Sequence, residues 1–214
     1  MAVEGTVGSG KTSLIERIAS LCDCKPFYEL SDKMIEDMLV HFYHDRKRWA
    51  FTMQILFLTS RFEQIKEASK IEKAVLDRSI FGDIVFARML HKYGDMKSHE
   101  LSVYERLYSS LIDSVNPPYL MIYIKISTDL AINRIKLRGR DYELIVEREY
   151  WENLNSEYER YFLEYNRSPL MVINADRYDW VNNERDGIYV ANKVKSLIEK
   201  SISGELSKDF RTEI

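Results

Sequence analysis

Gly5-Thr6-Val7-Gly8-Ser9-Gly10-Lys11-Thr12 is a glycine-rich loop of the form G-x-x-x-x-G-K-[ST], set between a short apolar run (Met1 to Val3) and an amphipathic helix beginning near Lys11. Such a loop turns successive backbone N–H groups inward as a cradle for phosphate oxygens, and the helix behind it adds the positive end of its dipole. The lysine then reaches the β- and γ-phosphates, and the threonine hydroxyl ligates Mg²⁺. Gly5, Gly8, Ser9, Gly10, Lys11 and Thr12 are therefore candidate residues for a nucleoside triphosphate, with ATP and Mg²⁺ as the expected cofactors.

Around this loop, short apolar runs alternate with longer helical patterns. Met1–Glu4, Pro26–Glu29, Ala74–Asp77, Tyr119–Ile126 and Leu170–Asn174 are rich in valine, isoleucine and tyrosine, as strands covered on both faces require. Leu14, Ile15, Ile18 and Leu21 recur at helical spacing, as do Ile55, Leu58, Phe62 and Ile65. The alternation predicts an α/β fold of the P-loop NTPase type: a five-stranded parallel sheet flanked by helices, binding ligands beyond the carboxyl ends of its strands. No linker or repeat interrupts the chain, which predicts one domain over residues 1–200 and a flexible polar tail over 201–214. The first strand has almost no length before the loop; either it is unusually short or residues precede it.

The 214 residues carry 31 lysines and arginines against 34 acidic side chains, a net charge of −3 that gives no general attraction to nucleic acid or anionic membranes. A small-molecule substrate follows. The apolar runs are far too short to span a bilayer, and a cytoplasmic location is expected. Cys22 and Cys24 are too few for a zinc site, and none of the four histidines is placed to help them.

Further constellations fall where phosphoryl transfer needs them. Asp77-Arg78-Ser79 ends the third strand, where a carboxylate can hold a Mg²⁺-bound water and an arginine can steady the transferring group. Arg134, Arg138 and Arg140 follow the fourth strand and read as a lid whose guanidinium groups converge on a trianionic phosphate. Glu29, at the end of the second strand, is placed to accept a proton from an attacking hydroxyl. Gln54 and Arg61 lie seven residues apart on one helical face within an aromatic stretch, and a glutamine in an apolar pocket can meet a base edge with one donor and one acceptor.

With these residues assembled, the chain resembles the deoxynucleoside kinase family, and within it most resembles the bacterial deoxyadenosine kinases. The likeness runs from Ala2 to Asp176 and rests on Glu4 to Thr12, on Tyr43 with Arg48-Trp49-Ala50-Phe51-Thr52-Met53-Gln54 and Ser60-Arg61, on Asp77-Arg78-Ser79 through Asp83, and on Arg134 to Glu143. It implies that Glu29 is the catalytic base for the 5′-hydroxyl, with Arg78 and Lys11 in the catalytic set. It implies that Tyr43 and Glu143 bind the sugar 3′-hydroxyl, and that Gln54 pairs with the base, supported by Arg61 and Asp83, with Phe86 stacking. It assigns Thr12 and Asp77 to the metal, and Arg134, Arg138, Arg140 and Asp176 to the donor nucleotide. By the same likeness the acceptor is deoxyadenosine, with deoxyguanosine and deoxycytidine secondary, feedback by a deoxynucleoside triphosphate is plausible, and the protein is a homodimer. The pairing helices lie within Phe51–Ala68 and Asp83–Tyr93 or Leu101–Val115. Two alternatives stand beside this reading: a thymidylate-type monophosphate kinase, and a non-catalytic subunit like the accessory subunit of respiratory complex I that shares the fold.

Overall fold

Side chains alternate along each strand, and the alternation divides the core in two. Ala2, Leu76, Met121, Tyr123, Leu170 and Val172 pack into one apolar cluster, while Val3, Val75, Ile122, Ile124, Met171 and Ile173 pack into another on the opposite face. The computed structural model describes residues 1–30 and 33–214. In chain order its elements are β1 (Ala2–Gly5), α1 (Lys11–Cys22), β2 (Lys25–Phe27), α2 (Lys33–His44), α3 (Arg46–Ala68), β3 (Ala74–Asp77), α4 (Ile80–Lys92) and α5 (Ser98–Ile112). They continue with β4 (Met121–Lys125), α6 (Thr128–Arg138), α7 (Asp141–Leu144), α8 (Arg148–Glu164), β5 (Leu170–Asn174), α9 (Glu184–Ile202) and β6 (Arg211–Glu213).

The strands form one parallel sheet in the order β2-β3-β1-β4-β5-β6. β1 is central, with Ala2 opposite Leu76 on one side and Val3 opposite Ile122 on the other. The chain moves outward to β2 and β3 and then crosses back past β1 to β4, so the direction of winding changes beside β1. The loops after β1, β2 and β3 therefore open into one crevice at the carboxyl edge of the sheet, where open α/β sheets bind ligands.

The architecture is the expected one with a sixth strand added. Residues 201–214, expected as a loose tail, include β6, which pairs with β5 in the register Leu170 to Arg211 and Val172 to Glu213. Its Arg-Thr-Glu sequence has no apolar pattern to announce a strand; the guanidinium of Arg211 ties it instead to the carbonyls of Phe162 and Leu163 at the end of α8. β2 is shorter than predicted and ends at Phe27, which leaves Glu29 on the loop beyond it. Among the described residues no helix is long and apolar enough to cross a membrane.

Two local features position the site. Asp45 caps α3 by accepting from the Arg48 N–H at 3.2 Å, and the 23-residue helix, about 34 Å long, carries Gln54 and Arg61 buried on its inner side. Gly8 has a φ of 79°, and a Cβ there would lie 2.5 Å from the carbonyl oxygen of Ala131 on α6. Only glycine lets the loop turn in that space.

Candidate active site

The loop after β1 is braced from three directions. Lys11 Nζ donates to the carbonyls of Gly5 at 3.2 Å and Thr6 at 3.0 Å. Trp180 Nε1 donates to Gly10 O at 3.0 Å, and Arg134 donates to Ser9 O at 3.0 Å. Burial, with Arg78 adding repulsion, brings the Lys11 ammonium down to about 7. Asp77, Glu29 and Glu4 oppose this shift without cancelling it, and a buried cation so incompletely compensated suits a phosphate-binding group.

Across from the lysine, Thr12 Oγ1 donates to Asp77 Oδ2 at 3.2 Å. The other carboxylate oxygen, Asp77 Oδ1, is buried without a hydrogen-bond partner. Burial raises the Asp77 carboxyl, Lys11 opposes that, and Glu29 adds to it. An orphaned carboxylate oxygen next to a hydroxyl is a donor set that fits Mg²⁺, which binds through one or two protein oxygens plus substrate phosphates and water. No group of three or more acidic, histidine or cysteine side chains among the described residues could hold a metal by itself.

Arg78 takes a left-handed backbone conformation, with φ of 69°, which a residue with a side chain adopts at a penalty of about 1 kcal/mol or more. Its guanidinium is fixed on several sides: Nε donates to Glu29 at 3.0 Å, and a terminal nitrogen donates to the Tyr158 hydroxyl and lies 4.0 Å from Glu4 Oε2. Glu29 also accepts from Arg61, which in turn pairs with Asp83. Burial pushes the Glu29 carboxyl up, but Arg78, then Arg61, then Lys11 overcome it and bring it down to about 2. The candidate base is thus ionised at every ordinary pH.

These groups border a cleft of about 420 Å³. Gln54 lies in its wall with Oε1 buried and without a partner. Phe86 lines it, with the Arg78 guanidinium 5.0 Å from its ring centroid. Tyr43 also lines it, stacked on Tyr142 at 5.9 Å and edge-on to Tyr150 at 6.1 Å; burial, then Tyr150 and Glu143, push its hydroxyl far above the usual tyrosine range. Glu143 accepts from Arg138 at 2.6 Å and from Arg140 at 3.4 Å. Gly139, with φ of 71°, turns the chain between those two arginines.

Lys11, Thr12, Glu29, Tyr43, Gln54, Asp77, Arg78, Phe86, Arg138, Arg140 and Glu143 all border the one cleft. Arg61 and Asp83 stand behind its wall. The three-arginine lid resolves into two parts: Arg138 and Arg140 face the cleft, while Arg134 is held by Ser9 O and Asp179. Asp176 accepts from the Ser127 N–H and hydroxyl, and Ser127 in turn caps α6 by accepting from the Leu130 N–H. Sequence reasoning gave no role to Glu4, Tyr158 or Trp180. A carboxylate inside an otherwise apolar first strand is a signal for Glu4; nothing in the local sequence marks Tyr158 or Trp180.

The sequence model of a family described as Deoxynucleoside kinase matches residues 1–199. The chain is 33% identical over 219 residues to a deoxyguanosine kinase of Lactobacillus acidophilus, covering 98% of this chain and 94% of that one. It is 32% identical over 202 residues to a deoxyadenosine/deoxycytidine kinase of Bacillus subtilis, covering 92% of each. A solved structure of deoxyadenosine kinase from M. mycoides with bound dATP superposes with a TM-score of 0.79 at 30% identity, covering 90% of this chain and 97% of that one.

Proposed function

Because the chain belongs to the deoxynucleoside kinase family, we propose that it transfers the γ-phosphoryl of ATP to the 5′-hydroxyl of deoxyadenosine, with deoxyguanosine and deoxycytidine as secondary acceptors, in cytoplasmic nucleotide salvage. The observation that carries this reading is the cleft itself, where an ionised Glu29 held by Arg78 stands between the Lys11, Thr12 and Asp77 cluster and the unpartnered amide of Gln54.

Each residue then has a definite task. The amides of the loop and Lys11 hold the donor phosphates, and Thr12 and Asp77 would hold a Mg²⁺ ion, which would supply positive charge against those phosphates. Tyr43 and Glu143 take the 3′-hydroxyl, and Phe86 lies against the ring. Gln54 Oε1 accepts from an exocyclic amine while its NH₂ donates to a ring nitrogen, a bidentate match to adenine. Thymine would also satisfy this amide, through its N3–H and O4, so a preference against thymidine rests on the shape of the rest of the cleft. Glu29 accepts the 5′-proton as the oxygen attacks, and Arg78, Arg138 and Arg140 match the charge spreading over the phosphoryl group. One such donor is worth on the order of 10²–10³ in rate.

Two further elements belong to the same reading. A deoxynucleoside triphosphate with its base in the acceptor cleft and its phosphates in the loop would inhibit, and the relative from M. mycoides is solved with dATP bound. A homodimer would pair the outer faces of α3 and α5, where Ile55, Phe62, Leu107 and Leu111 are only half buried; α4, buried at most of its positions, offers less apolar surface for that contact. Steady-state turnover with the four deoxynucleosides tests the assignment. Deoxyadenosine should have the highest kcat/KM and no monophosphate should be an acceptor; a preference for thymidine overturns it.

A further inference from the structure

Arg61 is 3% exposed and does not border the cleft, yet its guanidinium is shared between two carboxylates: Glu29 in the cleft wall and Asp83 on α4. Asp83 has a second partner, the Tyr104 hydroxyl, which donates to it at 2.6 Å. Arg61 Nε is buried and unpartnered, and so is Gln54 Oε1, seven residues away on the same helical face. Between the two lies Phe57, which lines the cleft and carries the Arg61 guanidinium 4.7 Å from its ring centroid. One side chain thus touches the candidate base and stands beside the nucleobase wall, with a donor to spare.

We propose that Arg61 is a substrate-operated latch on Glu29: it holds the carboxylate until a nucleobase settling against Gln54 draws the guanidinium away, leaving Glu29 to Arg78 alone. The latch rests on the phosphoryl-transfer reading given above. A carboxylate pinned by two guanidinium groups is a feeble proton acceptor, and here burial is outweighed by Arg78 and then Arg61. A general base works better as its proton affinity approaches the working pH. Withdrawing one of its two cations therefore strengthens Glu29 at the moment an acceptor is in place. The 5′-hydroxyl then gives its proton to Glu29 as the new O–P bond forms and ADP leaves. With no base bound, the latched carboxylate is a poor activator of water, and ATP in the neighbouring loop is spared hydrolysis. Arg61 in this account is a positioning residue that acts through Glu29.

The test uses an acceptor that keeps the sugar and removes the hydrogen-bonding edge of the base, 2′-deoxyribosylbenzene, beside deoxyadenosine. In the unaltered enzyme, the acid limb of the kcat profile should lie at higher pH with deoxyadenosine than with 2′-deoxyribosylbenzene, because only the former releases Glu29. In the double variant Arg61→Gln/Asp83→Asn, which removes both buried charges together, kcat with 2′-deoxyribosylbenzene should rise roughly five-fold, and ATP hydrolysis without acceptor should rise with it. Asp83→Asn alone leaves the latch on Glu29 and should show neither rise. If the double variant only raises KM for deoxyadenosine, with kcat for 2′-deoxyribosylbenzene unchanged or lower, Arg61 reads the base and does not gate Glu29. Coincident acid limbs in the unaltered enzyme overturn the latch without any variant having to fold. Absence of turnover with every deoxynucleoside would instead overturn the underlying function, a result distinguishable from both.

Discussion

Ser79 donates both its backbone N–H and its hydroxyl to a single oxygen of Glu4, at 2.7 and 3.0 Å. The residue that precedes the phosphate loop is thereby tied to the one that follows Arg78, and the other Glu4 oxygen lies 3.5 Å from the Tyr158 hydroxyl, which receives Arg78. The strained backbone of Arg78 is held in place by this knot. Replacing Glu4 with Gln keeps an acceptor for Ser79 and removes the charge opposite Arg78. The expected result is a fall in kcat of about ten-fold, or ~1.4 kcal/mol of transition-state stabilisation, with KM for the deoxynucleoside within about two-fold. An equal loss in both parameters would mean Glu4 only supports the fold.

Gly82, on the first turn of α4, is the space into which Glu4 fits. A Cβ there would lie 2.4 Å from Glu4 Oε1 and 2.5 Å from its Cδ, and Ser79 prevents that carboxylate from yielding. Gly82→Ala should destabilise by about 2 kcal/mol, read as a Tm lower by roughly 4–8 °C. An unchanged Tm would show that the carboxylate is free to move.

Glu29→Gln should lower kcat by roughly 10²–10⁴ while ATP and nucleoside still bind. Its effect on stability has a sign. The folded carboxyl is depressed to about 2, so its contribution is fully present above the unfolded value near 4.5 and is lost as pH falls through the folded one. The stability gap between the unaltered protein and Glu29→Gln, measured by urea unfolding, should narrow from pH 5 toward pH 2. A gap that stays constant would mean the pairing with Arg78 and Arg61 does not persist in solution.

Lys11 sits at about 7 in the free protein, lowered by burial first and by Arg78 second. Nucleotide phosphates restore its preference for the proton, so ATP binding at pH 8 should take protons up from solution. Calorimetry in buffers of different ionisation enthalpy measures this directly, and Lys11→Met should abolish it. Uptake of equal size in the variant would assign the proton to another group.

Asp77 Oδ1 is the unpartnered oxygen beside Thr12. Asp77→Asn should raise the Mg²⁺ concentration needed for half-maximal turnover by about 10- to 100-fold, with the rate recovering at high Mg²⁺. A loss of rate that magnesium does not restore would argue against a metal-holding role.

The fold and most of the cleft were legible because each rests on a local signal. Gly5 to Thr12 announces its own backbone shape, and the strands ending at Asp77 and Asn174 are short apolar runs bounded by polar residues. What escaped depends on distant parts of the chain meeting. Arg134 sits four residues before Arg138, but helix periodicity alone could not show that Ser9 O and Asp179 would claim its guanidinium. Tyr158 repeats at core spacing with Trp151, Leu154 and Phe162, and only the approach of Arg78 from β3 separates it from them. β6 has no apolar pattern at all, because an edge strand made of Arg, Thr and Glu is held by its backbone and by Arg211.

The hydrogen bond from Trp180 to Gly10 joins residues 170 positions apart, and β1 itself pairs with strands that end at Asp77 and Lys125. During synthesis the phosphate loop leaves the ribosome well before the strands and the tryptophan that give it its shape. Contacts of such long range close late. A nascent chain halted before Trp180 would carry the whole nucleotide-binding signature and lack the indole that braces Gly10.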